Sequence, residues 1–515
     1  MSTNYVGLHA SFSPSKVRAG VALLVILGLA LLTASADAQE ANTFVYTNND
    51  AAPNTVTAFR VLHGGTLGVI GTFMTGGSGT PGMFSVLPRV ADTIRRNFLY
   101  VANAGSGDIS AFKIDTETGA LTLVDSPFPT GGVSFSGISL AVTPNGKFLY
   151  AANENSGNIS AFRISSNGAL TPIGSSDAGG NPDSIKVTPN GRFVAVTLPS
   201  VPSVGSGGSV AMFSIGSDGA LTSVGSFPQG GNGTATADLD ISCKSSLLFA
   251  DHANTDGTVV SVDTIAPNGA LSPIGQQPFT FSSGSDSETG IVLTPDNRHL
   301  FVNNLTSNTI TSLDVASGGS LNLETDSPSG TSPFGNLGGG FPSGIGVNRE
   351  GTLLYVANPF VNAVTGFHID RDGGLTPLTP FNAFPTGSTG ILLSLTVFPA
   401  HEDEGEGDEV DAQGHKGHFD FEADRACTDS GEMDFEDDSG HEMKGRVSTV
   451  AVAGNTAAIS GLGTLLDGTP VQYTAVATGN QAIVGANQFA ISWITATGSV
   501  FQTSGVLTDG YIAIH

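Results

Sequence analysis

Between residues 44 and 400, apolar residues alternate with polar ones in short runs broken by turn-forming pairs such as Asn-Gly and Asp-Gly. A period of two predicts strands, and the breaks predict hairpin turns. One phrase recurs along this stretch: FLYVANAGSGDISAFKI (98–114), FLYAANENSGNISAFRI (148–164) and LLYVANPFVNAVTGFHI (353–369). Weaker copies occupy 44–61, 193–215, 248–262 and 301–313, which makes seven. Each copy is followed by a turn and an apolar stretch, such as GALTLV (119–124) or GALTPIG (168–174). An alternating run ending in a turn precedes it, as in LAVTPNGK (140–147).

A unit of about 50 residues therefore holds four short strands, and its repetition predicts an all-β chain folded as a seven-bladed β-propeller over 39–400. The chain enters at the second strand of a unit (44–48) and leaves on a first strand, LLSLTVFPA (392–400). Pairing those two segments in one blade would close the ring and remove an exposed edge. Beyond it, 401–418 (HEDEGEGDEVDAQGHKGH) lacks apolar periodicity and predicts a solvated acidic linker. Alternation resumes over 419–515, predicting a smaller β-rich domain, a sandwich or barrel-like fold, with a charged hairpin at 428–445.

Charge narrows the partners. The formal net charge of −26 excludes sequence-independent binding to nucleic acid, which needs a Lys/Arg surface. It would attract cations, Ca²⁺ among them. Residues 1–38 read as an export signal: Lys16 and Arg18 precede the apolar run 19–34, and Ala36-Asp37-Ala38 supplies small residues for cleavage before Gln39. The expected location is the periplasm, the cell surface or the medium, with no membrane span once the signal is removed. Two cysteines, Cys243 and Cys427, fall in the two predicted domains, and their spacing does not decide whether they pair.

The phrase [FL][LV]Y[VA]AN, the turn TPNG[KR] and the following GAL[ST] resemble the YVTN-type and lactonase-like propellers, a group that includes 6-phosphogluconolactonase-like proteins. The tail motifs FDFEA, GEMDFED, VAGNTAAISGLGTL and GYIAIH are similar to the post-COAP type of small β-domain, which implies an appended binding or stabilising module. The propeller resemblance implies a central channel lined by the first strand of each blade, with an Arg and a His aimed at substrate from a PRH-x-x-F-x-P-x-G-[KR] stretch. The positions matching that His are Arg89, Ser139, Ser184, Asp238, Gly290, Gly344 and Ser394. Those matching the Arg are Pro88, Ile138, Asp183, Ala237, Thr289, Ser343 and Leu393, so neither motif residue is present.

Two chemistries remain for this ring. Arg89 holding an oxyanion with Asp238 as base would open a sugar or other lactone. Alternatively, Ser139, Ser184, Asp183, Glu288 and Ser394 supply hard oxygens for a sugar or a divalent cation. The missing motif His and Arg favour an exported binding or interaction scaffold over a hydrolase. Its expected partner is a small molecule, a glycan or an envelope protein, with no cofactor beyond a cation such as Ca²⁺. His252, His299 and His368 read as structural or solvated.

Overall fold

A computed structural model describes residues 43–514, apart from 81–89, 92, 96, 126, 200–207, 230–234, 254–257, 276–278, 282–287, 305–308, 325–343, 360, 379–382, 389, 393, 399–402, 424–430 and 480–486. The expected signal segment, Arg89 and Cys427 lie outside the described residues. Seven sheets follow one another along the chain, antiparallel except that Val90–Ala91 pairs parallel with Ile138–Val142. Their innermost strands are Thr93–Arg95, Ile138–Val142, Ile185–Val187, Ala235–Ile241, Glu288–Leu293, Ile345–Val347 and Ser394–Phe398, here numbered as blades 1 to 7. Each inner strand neighbours the next, and the seventh neighbours the first, so they form a closed ring. Blade 7 joins both ends of the propeller: Phe44–Asn48 pairs antiparallel with Ser394–Phe398, with Phe44 opposite Phe398 and Asn48 opposite Ser394.

The recurring phrase is explained by contacts between blades. Its first residue packs on the turn glycine of the next blade: a Cβ on Gly119, Gly168, Gly219 or Gly269 would lie 2.4–2.5 Å from the ring of Phe44, Phe98, Phe148 or Phe193. Leu353 meets Gly65 and His299 meets Gly373 in the same way, and all six glycines have positive φ. The tyrosine two places later donates its hydroxyl to that glycine's carbonyl: Tyr46 to Gly119 at 3.0 Å, Tyr100 to Gly168 at 3.2 Å, Tyr150 to Gly219 at 3.0 Å and Tyr355 to Gly65 at 2.7 Å. The phrase's asparagine closes its own hairpin instead. Asn103 and Asn153 donate to Ser110 and Ser160 at 2.8 and 3.0 Å.

The C-terminal strands form a closed eight-stranded antiparallel barrel. Its first strand is Asp403–Asp411, paired with both Lys416–Ala423 and Val500–Ala513. This corrects the expected linker at 401–418, whose described part is a β-hairpin. The acidic pattern hides a period of two in which the buried positions are Gly405, Gly407 and Glu409 rather than aliphatics. Those glycines are required by packing, because a Cβ on Gly405 would meet the Phe421 ring at 2.5 Å and one on Gly407 the Asp509 carbonyl at 2.5 Å. The interior is filled from the other strands by Phe419, Phe421, Phe435, Phe489, Trp493 and Tyr473. The 428–445 segment, where described, is the expected hairpin, Glu432–Asp437 against Glu442–Ala453.

The barrel lies against the propeller face that carries the turns between first and second strands. Among the described residues, three clefts are lined by both bodies, and each has a lysine of the propeller and an acid of the barrel in its lining: Lys113 with Asp408 and Asp509, Lys147 with Asp420, and Lys244 with Glu432. Cys243, beside Lys244 at the third cleft, is disulfide-bonded.

Two predictions test this architecture. Gly168→Ala places a Cβ against Phe98 at φ +84°, whereas Gly174 has open space around it and no positive φ. The first substitution is expected to lower stability in urea unfolding by about 3 kcal/mol, and Gly174→Ala by less than about 0.5. Glu409 is buried within the barrel, its Oε2 without a hydrogen-bond partner among the described residues, and burial pushes its carboxyl up to about 7 despite the Gly505 amide. A folded pKa above the unfolded value means that the ionised form is disfavoured in the folded state, so stability falls as pH rises from about 4.5 through 7. Glu409→Gln should abolish that slope, which is on the order of 3 kcal/mol across the window, in unfolding midpoints recorded from pH 4 to 8.

Candidate functional site

The channel ring comes from the inner strands. Ser139 and Ser394 stand at the start of theirs, Ser184 just before Ile185–Val187 and Asp238 midway along Ala235–Ile241, and all four are buried. Ser184 Oγ donates to Asp238 Oδ1 at 2.5 Å, linking blade 3 to blade 4. The Leu239 amide donates to the same oxygen at 2.9 Å, and the Ile291 amide of blade 5 reaches Asp238 Oδ2 at 3.4 Å. On the other side, the Ile185 amide donates to Ser139 Oγ of blade 2 at 3.3 Å. The ring residues thus form one hydrogen-bonded seam from blade 2 to blade 5.

Behind the seam, Asp251 on the second strand of blade 4 accepts from the Asp238 amide at 2.5 Å. Thr197 does the equivalent work in blade 3, accepting from the Ser184 amide at 2.8 Å. Asp183 is half-buried and bound through its own amide to the Thr197 carbonyl at 3.0 Å. Glu288 begins the inner strand of blade 5, but its side chain is outside the described set. Ser394 Oγ has no hydrogen-bond partner among the described residues.

Two residues further along the inner strands, on the same side of the sheet, lie Lys186 and Asp240. Burial holds the Asp240 carboxyl above the usual range, and the nearby Lys186 ammonium acts against that shift. Both Asp240 oxygens accept amides, from Ile241 at 2.9 Å and from Leu293 of blade 5 at 2.8 Å. Sequence reasoning missed this second tier because the motif template aligns only the first. The period-two rule, applied from Ser184 and Asp238, would have found it. Among the described residues, no group of three or more His, Cys, Asp or Glu is arranged to hold a metal ion.

The histidines stand at repeat positions. His252 occupies the place of the phrase's asparagine, its Nε2 2.7 Å from Ser261 Oγ, and burial pushes its pKa down to about 4, so the ring is neutral. His299 takes the place of the phrase's first aromatic, and His368 is exposed on a third strand.

Seven blades, the closed ring and this phrase in every second strand agree with what comparison with known proteins returns. The family model "Lactonase, 7-bladed beta-propeller" matches residues 33–136, 136–238 and 253–389. The chain belongs to this lactonase propeller family. The matches leave out 239–252, where blade 4 carries Asp240, Asp251 and His252, and they end before the barrel. Among solved structures, the lactonase propeller is similar to a putative 6-phosphogluconolactonase of Bacteroides fragilis, at 19% identity and TM-score 0.55 over 70% of this chain and 99% of that one. It is also similar to the periplasmic gluconolactonase of Pseudomonas aeruginosa, at 16% identity and TM-score 0.54 over 69% and 98%. At these identities the likeness shows the fold alone. No curated protein matches the chain.

If the ring is a joint between blades, Asp238→Ala should be costly to the fold itself. It strands the Ser184 hydroxyl and two amides, and a loss of at least about 2 kcal/mol is expected in urea unfolding. A loss below about 0.5 kcal/mol would mean that the seam does not hold the blades together.

Proposed function

We propose that this lactonase-family propeller is an exported binding scaffold whose channel accepts an uncharged, polyhydroxylated ligand such as a sugar. The observation that carries this reading is the commitment of Asp238. A general base needs a lone pair aimed at water, and both Asp238 oxygens are engaged with neighbouring blades. A phosphorylated substrate is disfavoured by Asp238, Asp240 and Asp251, with Lys186 the cation beside them. Export is supported by the signal-like residues 1–38, and extracytoplasmic solubility by the net charge of −26.

One observation favours a second reading, hydrolysis of a lactone. Lys186, near Asp240, offers a cation for a developing oxyanion, and burial makes the Asp240 carboxyl more basic even though each of its oxygens accepts one amide. The deciding experiment follows acid release by the chain beginning at Gln39 on a panel of sugar and aliphatic lactones, alongside Lys186→Ala and Asp240→Asn. The scaffold reading expects no turnover above background from wild type, and equilibrium binding of a neutral sugar that Lys186→Ala weakens several-fold. Turnover that either substitution abolishes would overturn it in favour of the hydrolase.

A further inference from the structure

The barrel lies against the propeller face that carries the turns between first and second strands. The opposite face, on which the inner strands begin, is the one toward which the channel ring is placed, since Ser139 and Ser394 stand at the start of their strands. On that face one connection differs from the rest. Residues 130–137 (TGGVSFSG) carry the chain into the inner strand of blade 2 and expose two apolar side chains, Val133 at 53% and Phe135 at 60%. No other connection into an inner strand exposes a large apolar residue among the described residues. Phe135 precedes Ser139 by four positions, a span of at most about 14 Å. The residues four positions before Ser184, Gly344 and Ser394 are Gly180, Gly340 and Gly390, so blade 2 carries an aromatic where three other blades carry glycine.

The loop around Phe135 is tied down on both sides. The Phe135 amide donates to the Ala104 carbonyl of blade 1 at 2.8 Å. Toward blade 2, the Val133 amide donates to Ser156 Oγ at 2.8 Å, the Gly137 amide to Glu154 Oε2 at 3.0 Å, and the Asn155 amide to Ser136 Oγ at 2.9 Å. Held in this way, Phe135 has a φ of 59°, in the left-handed region that a bulky side chain adopts only at a cost. Glycine would take that conformation without strain. The fold therefore gains from this phenylalanine neither a relaxed backbone nor a buried ring.

We infer that Phe135 is a specificity-determining residue of the channel site, the platform on which a neutral pyranose of an oligosaccharide stacks at the channel mouth. The inference rests on the reading of the channel as a sugar site and adds the kind of sugar. A pyranose whose hydroxyls are equatorial turns its axial C–H bonds to its two faces, and such an apolar face packs flat on an aromatic ring. An axial hydroxyl interrupts that face. The separation between Phe135 and the ring suits a chain of sugars, one unit on the aromatic and the next among the serine and aspartate oxygens of the channel. The preset loop means that little ordering remains to be done on binding.

Isothermal titration calorimetry of the chain beginning at Gln39 with cellotriose, maltotriose and mannotriose tests this, together with urea unfolding of each variant. The expected result is binding of an equatorial gluco-oligosaccharide in preference to mannotriose. Phe135→Ala should weaken it about ten-fold, and Phe135→Trp should keep it within about three-fold of wild type. Phe135→Gly should weaken binding as Phe135→Ala does while raising the urea midpoint, because glycine relieves the backbone; a ring that merely propped the fold would give a lower midpoint, and that outcome overturns the inference. Binding that Lys186→Ala weakens but Phe135→Ala leaves unchanged overturns the platform and keeps the sugar site. Equal or tighter binding of mannotriose overturns the stated preference and with it the inference, and no binding of any of the three overturns the sugar reading as well.

Discussion

Everything in the propeller depends on one contact, repeated around the ring: the glycine of an outer turn seated against the first residue of the neighbouring blade's second strand. The glycine needs positive φ to make the turn and needs to lack a Cβ so that Phe44, Phe98, Phe148 or Phe193 can reach its backbone. Its carbonyl is then in place for a tyrosine hydroxyl at four of the seven interfaces. No blade can satisfy this contact alone, because the two halves belong to different sheets. Stability is therefore a property of neighbours, and the pairing of Phe44–Asn48 with Ser394–Phe398 supplies the missing neighbour at the ends.

The same logic extends to the channel ring. Where the outer parts of the blades are held by glycine and aromatics, the inner parts of blades 2 to 5 are held by Ser139, Ser184 and Asp238. A buried carboxylate is tolerable when it accepts several hydrogen bonds, and Asp238 and Asp240 each collect donors from their own strand and from blade 5. Blade 4 carries this arrangement furthest, replacing the phrase's usual Ala-Asn by Asp251-His252, with the histidine kept neutral by burial. The motif histidine and arginine of related propellers have no counterpart among the described ring residues.

The seven blades, their order and the closing pair were legible because each is written as a local period of two, repeated with the same turn chemistry. The barrel's first strand was not legible. Its inward positions are Gly405, Gly407 and Glu409, so the hydrophobic signal that marks a strand is absent, and the apolar filling comes from Phe419, Phe421 and Phe489 on other strands. At the ring, Ser139, Ser184, Asp238 and Ser394 fall where the repeat placed them. What the repeat could not show was that Ser184 and Asp238 bond to each other across a blade boundary, since residues 54 apart carry no local signature of contact. Lys186 and Asp240 escaped for a simpler reason, sitting one period past the aligned position.

The charge distribution makes sense once the two bodies are considered together. Three of the propeller's turns between first and second strands end in a basic residue, Lys147, Arg192 or Arg298, and the turn of blade 4 carries Lys244, which collects cations on one face. The barrel's acids are concentrated in the strands that meet that face, and a lysine and a carboxylate share the lining of each of three clefts among the described residues. Individual solvated pairs of this kind contribute little, roughly 0–1 kcal/mol each. Their combined effect is orientational: an acidic wall turned toward a basic face, and an uncharged wall left outward. Had the 17 acids of residues 402–446 been spread evenly around the barrel, neither face of it would be distinguished. Segregating them along the sequence segregates them in space, because an antiparallel barrel lays consecutive strands side by side.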